Sequence, residues 1–269
     1  MIACSVQVLN PSFSFEFNLY SMDDSSTHHY YENPQTARHF EESRFYGAFG
    51  AWLKERDWDF FTRHPHINYS KLNQILELGC GTGRITRSLL EAAPSANLLA
   101  VDRSQEMLSQ LQQHLPPAHQ QRLTIQCSSV ESLNLSHRSF DLVCFSRLLM
   151  HLPDWSSFLT QACSLSNQWI LCDFPVQGSP AWLGKTLLNH FSPPKGDGGY
   201  HFLPLPKVVN LLENNGFEII DLHRLLLLPI PLHLRLGSPN LSLTLEKWLG
   251  GALLRRKIGS PVYLLAKKM

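Results

Sequence analysis

From residue 74 onward the sequence alternates between short apolar runs and longer amphipathic stretches. The apolar runs predict seven strands, at residues 74–78, 97–101, 123–127, 140–145, 169–173, 217–222 and 262–266. Continuous apolar strands separated by helices indicate a mainly parallel sheet that helices cover on both faces. The predicted fold is therefore α/β and doubly wound, a Rossmann-like, seven-stranded, mostly parallel sheet.

The remaining segments are predicted to surround this sheet. Residues 1–22 are rich in Ser and Phe without a clear period, which predicts a tail that need not be ordered. Residues 23–70 carry aromatic side chains at roughly helical spacing and are predicted to form an N-terminal helical lid. The main domain is predicted over residues 71–269. Two stretches within it interrupt the alternation, at about 176–205 and 229–260, and are interpreted as cap insertions.

The most specific motif lies where the first strand ends. The chain reads Glu77-Leu78-Gly79-Cys80-Gly81-Thr82-Gly83 there, and Asp102 ends the second strand. Glycines let a ligand approach the backbone closely, and the helix that follows presents free N–H groups. An acidic side chain after the second strand can accept hydrogen bonds from both hydroxyls of a ribose. These features predict a nucleoside pocket. A dinucleotide fingerprint would need a third glycine where this chain has Arg84 or Thr86, so a pyrophosphate is poorly served.

Four motifs in order along the chain resemble those of the class I S-adenosylmethionine-dependent methyltransferases of small-molecule type. They are the E-x-G-x-G-x-G turn at 77–83, the D-x-S-x-x-M-L run at 102–108, the F-D-x-V strand at 139–143, and the helix-to-Gly-Phe entry at 206–217. The resemblance covers residues 74–175 well and 205–222 in part. It implies S-adenosyl-L-methionine as the cofactor.

The resemblance also implies which residues bind that cofactor. They are Glu77, Gly79, Gly81, Gly83, Asp102, Arg103, Met107, Ser129, Val130 and Ser146. Glu77 would help to fix the ammonium group, Asp102 would bind the ribose, and Ser146 would face the methionine part. Ser129 stands where the family usually has an aspartate, and this departure weakens recognition of the adenine amine.

Two residues are candidate general bases for an acceptor. His151 follows the fourth strand, close to where an acceptor would sit, although it could instead cap or pack a helix. Asp173 ends the fifth strand at the same edge of the sheet, although it could be a loop cap. Residues 28–31 could close over the cofactor from the N-terminal helix or lie on the surface. No His/Cys cluster has zinc spacing, so no metal site is predicted.

Composition bears on the partners and the compartment. The chain has 23 Lys/Arg against 22 Asp/Glu, and this balance argues against a nucleic-acid protein held by bulk charge. Six cysteines without C-x-x-C spacing favour free thiols in a reducing compartment, so we expect a cytoplasmic protein.

Residues 222–269 hold eight Lys/Arg and one acidic residue. This basic, Leu-rich C-terminal segment could cap an apolar acceptor pocket, make peripheral contact with an anionic membrane, or pack on the sheet with a solvated basic edge. We expect the last for most of its leucines.

The sequence thus predicts S-adenosylmethionine-dependent methyl transfer to a small, hydrophobic or lipid-like acceptor. One alternative is a catalytically silent adaptor that keeps the fold, which Ser129 slightly favours. The other is a nicotinamide-dependent oxidoreductase, against which the absent third glycine counts.

Overall fold

A computed structural model describes residues 31–133, 135, 139–191 and 200–269, with residues 131 and 188–191 described by backbone alone. The predicted tail at 1–22 and the beginning of the predicted lid lie outside the described residues.

In the described part of the chain, seven strands form one sheet. They are β1 (Gln74–Leu78), β2 (Asn97–Asp102), β3 (Leu123–Cys127), β4 (Phe140–Ser146), β5 (Ser166–Phe174), β6 (Phe217–Leu226) and β7 (Ser260–Lys268). The strand order is β3-β2-β1-β4-β5-β7-β6. Neighbours from β3 to β5 pair in parallel, and β7 runs antiparallel to both β5 and β6. The predicted fold class is confirmed.

The last strands are longer than the apolar runs that predicted them. In the ladder between β6 and β7, Phe217 pairs with Lys268 and Leu226 pairs with Ser260. Backbone hydrogen bonds to a partner strand extend each element beyond its own apolar residues. Because that partner is distant in sequence, the extension carries no local signal.

Ten α-helices are bounded within the described residues. They are α1 (Pro34–Arg44), α2 (Gly47–Thr62), α3 (Arg84–Ala92), α4 (Gln105–Gln113), α5 (Trp155–Leu165), α6 (Pro180–Phe191), α7 (Leu205–Asn214), α8 (Ile230–Leu236), α9 (Pro239–Trp248) and α10 (Gly251–Ile258). Side-chain caps start several of them. Asn33 accepts hydrogen bonds from the first amides of α1, and Ser104 accepts from the amide of Met107 in α4.

Two hydrophobic clusters lie on opposite faces of the sheet. Adjacent strand residues alternate between them, so Ile75 belongs to the first cluster and Leu76 to the second. The first contains Phe49 of α2 and Leu89 of α3, and the second contains Leu159 of α5. This burial on both faces explains why the central strands read as continuous apolar runs.

The segments predicted as caps contain helices. The first holds α6, and an isolated parallel bridge joins Val176 before this helix to Leu203 after it. The second holds α8, α9 and α10, between β6 and β7. None of the helices in the described residues combines the length and the apolar character needed to cross a bilayer.

Candidate active site

The turn after β1 presents backbone to its surroundings. Gly81 and Gly83 have φ angles of 55° and 79°, in the left-handed region that costs other L-residues energy. A Cβ added to Gly83 would lie 2.1 Å from the side chain of Leu111 in α4. Gly83 therefore packs against α4 rather than lining a cavity, unlike the predicted role as a ligand contact.

Asp102 meets this turn from the end of β2. The amide of Gly81 donates to its Oδ2 atom at 2.7 Å, and the amide of Ser104 donates to Oδ1 at 2.9 Å. Burial raises the pKa of Asp102, while these two amides oppose the rise. The carboxylate thus lies at the glycine turn, where the sequence predicted it.

A cavity opens at this edge of the sheet. The predicted residues that line it are Glu77, Gly79, Gly81, Asp102, Arg103, Met107, Val130, Ser146 and His151. Ser128 lines it in place of the predicted Ser129. The hydroxyl of Ser129 instead donates to Ser132 at 3.0 Å, because a 3₁₀ turn begins directly after Ser129.

The N-terminal helical region supplies further residues that line the cavity and that were not predicted as site residues from the sequence. The residues concerned are Tyr31, Phe40, Glu41, Arg44 and Phe45. Ser104 donates to the carbonyl of Tyr31 at 2.7 Å, and the Tyr31 hydroxyl lies 3.4 Å from Nε2 of His151. Arg44 donates to the same hydroxyl at 3.3 Å. Tyr31 therefore connects the loop after Asp102 to the candidate base; residues 28–30 lie outside the described residues.

Glu41 connects helix α1 to the glycine turn through hydrogen bonds. It accepts hydrogen bonds at Oε1 from Thr82 (3.0 Å) and Arg87 (2.9 Å), and Lys54 pairs with Oε2 at 3.2 Å. Burial opposes ionisation of this carboxyl, but Arg87 and Lys54 outweigh it and hold the pKa of Glu41 below its usual value. Sequence reasoning missed this contact, for which no local motif exists.

Glu77 is the buried carboxyl of β1. Its Oε2 atom accepts a hydrogen bond from Thr86 at 2.6 Å. Burial raises the pKa of Glu77 to about 7, although Thr86 and Arg84 oppose the rise. Glu77 can therefore change protonation state near neutral pH when a cation approaches it.

A buried group of charges centred on Asp57 of α2 adjoins the cavity. Asp57, with no exposed surface, pairs with Arg84 at 2.8 Å and with Arg147 at 3.0 Å, and accepts a hydrogen bond from the hydroxyl of Tyr263. Both guanidinium groups also lie over the ring of Phe45, at 4.6 and 4.8 Å from its centroid. The N-terminal helices are thus joined to the residues that follow β1 and β4.

Asp173, the second predicted base, belongs to this buried group. It is 1% exposed, does not line the cavity, and accepts a hydrogen bond from the Arg147 amide at 2.9 Å. Burial raises the pKa of Asp173 to about 6 although the Arg147 guanidinium opposes the rise. Arg147 has a φ of 54°, and Asp173 holds it in that conformation. Asp173 therefore positions Arg147 rather than facing an acceptor.

The cavity fits a ligand that carries both a nucleoside and an amino-acid group. Asp102 offers acceptors to ribose hydroxyls, and Glu77 offers an acceptor to an ammonium group. The Nη1 atom of Arg84 is buried without a hydrogen-bond partner among the described residues, and Arg84 lines the cavity. A buried donor of this kind needs an acceptor, which the carboxylate of an amino acid supplies. In the described residues, no group of three or more His, Cys, Asp or Glu could hold a metal ion.

This sheet order, with a glycine turn and an acidic partner at its carboxyl edge, defines an α/β domain of the methyltransferase type. Residues 75–168 match the family model described as "Methyltransferase domain". The match identifies a methyltransferase domain in that part of the chain.

Curated relatives match about a third of the chain. The chain is 37% identical over 89 residues to malonyl-[acyl-carrier protein] O-methyltransferase from Herminiimonas arsenicoxydans, covering 33% of this chain and 27% of that one. It is 31% identical over 97 residues to ubiquinone biosynthesis O-methyltransferase from Coxiella burnetii, covering 35% and 39%. The chain thus spans about a quarter to two fifths of the length of these relatives.

Solved structures agree over a larger part of the fold. Magnesium protoporphyrin IX methyltransferase from Synechocystis PCC 6803, with bound SAH, superposes with a TM-score of 0.59 at 16% identity, covering 92% of this chain and 100% of that one. An S-adenosylmethionine-dependent methyltransferase from Mesorhizobium loti gives 0.55 at 18% identity, covering 81% and 97%. At such identities the likeness establishes the fold.

Proposed function

We propose that this protein transfers a methyl group from S-adenosyl-L-methionine to a small, hydrophobic or lipid-like acceptor. One observation carries the proposal: the Asp102 carboxylate accepts a hydrogen bond from the Gly81 amide in the lining of the cavity that His151 also lines. A cofactor site and a candidate base thus share one space. The methyltransferase domain at 75–168 supports the same assignment.

Three side chains would hold the cofactor. Asp102 would accept hydrogen bonds from the ribose hydroxyls, Glu77 would pair with the ammonium group, and Arg84 would donate to the carboxylate. When bound, S-adenosyl-L-methionine supplies an electrophilic methyl group on its sulfonium. The protein then contributes alignment and exclusion of water, and alignment alone can supply about 7–11 kcal/mol in well-oriented systems.

His151 would act as the general base for an acceptor hydroxyl. Its Nε2 atom would take the hydroxyl proton as the oxygen–methyl bond forms and the sulfur–methyl bond breaks, and such a base adds about 10²–10⁴-fold in rate. The Tyr31 hydroxyl lies 3.4 Å from Nε2, so the acceptor hydroxyl would have to replace it at this atom.

The acceptor class rests on apolar walls and on the relatives. Leu148, Met150 and Leu152 line the cavity beside His151. One relative is named for ubiquinone biosynthesis, which supports a small, hydrophobic acceptor. We further propose that the protein works in the cytoplasm, where its free cysteines stay reduced, and that its basic C-terminal segment makes peripheral membrane contact.

Calorimetry with S-adenosylmethionine and S-adenosylhomocysteine tests the cofactor assignment. We expect saturable binding of both. We expect no binding of NADH or NAD, which NADH fluorescence would detect. Transfer of an isotopically labelled methyl group to a panel of hydrophobic phenols and carboxylic acids then tests the reaction. Absence of saturable binding would end the proposal, and binding without transfer to any acceptor would favour the silent adaptor.

A further inference from the structure

The turn between α9 and α10 exposes large apolar side chains. We define the α9–α10 tip as residues 247–257. Trp248 is 86% exposed, Leu253 78%, Leu249 45% and Leu254 37%. The sequence predicted that most leucines of the C-terminal segment pack on the sheet, and the three leucines of the tip are exceptions to it.

The fold does not need these side chains for its core. No residue of α10 is buried. Helix α9 is held by another face, where Glu246 accepts hydrogen bonds from the amides of Leu227 and Leu228 and pairs with His233 at 3.1 Å. The His233 ring in turn stacks on Phe49 of α2, 4.9 Å between centroids. The contacts of Glu246 therefore hold α9 against the fold, while the apolar side chains of the tip face solvent.

Positive charge surrounds the exposed apolar residues. The tip contains Lys247, Arg255, Arg256 and Lys257 and no acidic residue. None of these four cations forms an ion pair with a residue that the structure describes. The single acidic residue of the segment, Glu246, is committed to the internal contacts above. Apolar and cationic groups thus share one small surface without local charge compensation.

We propose that the α9–α10 tip docks on the surface of a bilayer that contains anionic phospholipid. Trp248 would lie at the headgroup level, and the leucines would enter the acyl boundary. The four cations would face lipid phosphates, each attracted to a negatively charged surface. The inference goes beyond methyl transfer, and it deepens the proposed membrane contact by naming the surface and the lipid class.

Charge argues against a second copy of this chain as the occupant. In an isologous dimer the same patch meets itself, so the four cations of one tip would face four identical cations. Like charges brought together at an interface oppose binding. An anionic bilayer complements both the charge and the apolar character of the tip.

Vesicle flotation with the full chain tests the proposal. We expect binding to vesicles of phosphatidylcholine with about 30% phosphatidylglycerol, at least tenfold weaker binding to phosphatidylcholine alone, and weakening by high salt. Trp248→Ser combined with Leu253→Ser should lower the affinity at least tenfold, and so should Arg256→Glu combined with Lys257→Glu. Leu183→Ser is the matched control, since Leu183 is also exposed, at 53%, but lies on α6.

For every variant we would measure the oligomeric state, by size-exclusion chromatography with light scattering, and the binding of S-adenosylhomocysteine. Unchanged cofactor binding would show that the variants are folded, and it separates failure of this inference from failure of the proposed function. Failure of the wild-type chain to bind anionic vesicles would overturn the docking, as would wild-type binding by the tip variants. A dimer that Leu253→Ser dissociates would also overturn it, in favour of a contact between copies.

Discussion

Glu77 and Asp102 are buried carboxyls of one cavity with different hydrogen-bond donors. Two backbone amides donate to Asp102, whereas one hydroxyl, that of Thr86, donates to Glu77. Each donor stabilises the ionised form of its carboxyl, while burial raises the pKa of both groups. The two amides suit Asp102 to an acceptor role, and a pKa of about 7 suits Glu77 to proton exchange with a cationic ligand.

Glu77 should therefore make cofactor binding depend on pH. Its pKa is raised to about 7, so below pH 7 the free protein holds a proton that must leave before an ammonium group can pair with the carboxylate. The affinity for S-adenosylhomocysteine should rise between pH 5.5 and 7.5, by up to about tenfold per pH unit below the pKa. Calorimetry in buffers of different ionisation enthalpy should detect the released proton. Glu77→Gln should bind more weakly and with a flat profile; a steep profile in this variant would contradict the role.

Asp102→Asn tests the ribose contact. The amide replaces one acceptor oxygen and removes the charge, so the affinity for S-adenosylhomocysteine should fall by about 1–3 kcal/mol, measured by calorimetry. Asp154→Asn is the control, because Asp154 is a solvent-exposed carboxylate that caps α5. Equal affinities in wild type and Asp102→Asn would remove Asp102 from the ribose site.

Some site residues were predictable and others were not, for a physical reason. Glu77 lies in β1, Gly81 in the turn after it and Asp102 at the end of the neighbouring strand β2, so their spacing alone indicated the pocket. Asp173 is different, because its pairing with Arg147 keeps this strand-end carboxylate away from the cavity. No local sequence pattern indicates that pairing. Ser129 missed the cavity by one position because a local turn redirected its hydroxyl.

At the scale of elements, the contact between α1 and the glycine turn depends on one carboxylate. Glu41→Gln should keep the helix but weaken its pairing with Arg87 and Lys54. Because the ionised form of Glu41 is favoured in the fold, its contribution should also be lost as pH falls through its lowered pKa. Hydrogen exchange over residues 34–44 should become faster, and cofactor affinity should fall a few-fold.

Glu42→Gln provides the comparison for that experiment. Glu42 is the adjacent residue of α1, its side chain is 81% exposed, and it contacts His39 within the same helix. This variant should exchange and bind like the wild type. Equally faster hydrogen exchange in both variants would mean that the charge on α1, rather than its contact with the glycine turn, stabilises this helix.

The sequence predicted strands better than it predicted how the outer helices pack. A strand buried on both faces must be apolar throughout, so β1 and β4 stand out locally. The lid and the caps are attached by single polar residues such as Glu41 and Glu246, whose partners are distant in sequence or are backbone amides. The leucines of the α9–α10 tip look like core residues in the sequence, and only the tertiary structure distinguishes exposed leucines from buried ones.

At the scale of the whole molecule, Asp57 joins the N-terminal helices to three strands of the sheet. Arg84 follows β1, Arg147 follows β4, and Tyr263 lies in β7; all three contact this one carboxylate. Removal of the charge would leave the two guanidinium groups, whose side chains are 11% and 22% exposed, without their shared partner. Breaking a buried charge pair in this way usually costs about 3–5 kcal/mol.

Asp57→Asn should therefore lower the midpoint of thermal unfolding by about 6–20 °C, at about 2–4 °C for each kcal/mol in a domain of this size. Asp59→Asn is the matched control on the same helix, because Asp59 is 41% exposed and pairs with the surface residues Arg56 and Arg63. Surface pairs contribute about 0–1 kcal/mol, so this variant should unfold within a few degrees of the wild type. Saturating S-adenosylhomocysteine should raise the midpoint of every variant that binds it, since a ligand specific for the native state stabilises that state by mass action. A small shift in Asp57→Asn would mean that Arg84 and Arg147 find other partners and that the lid is held to the sheet by its apolar contacts.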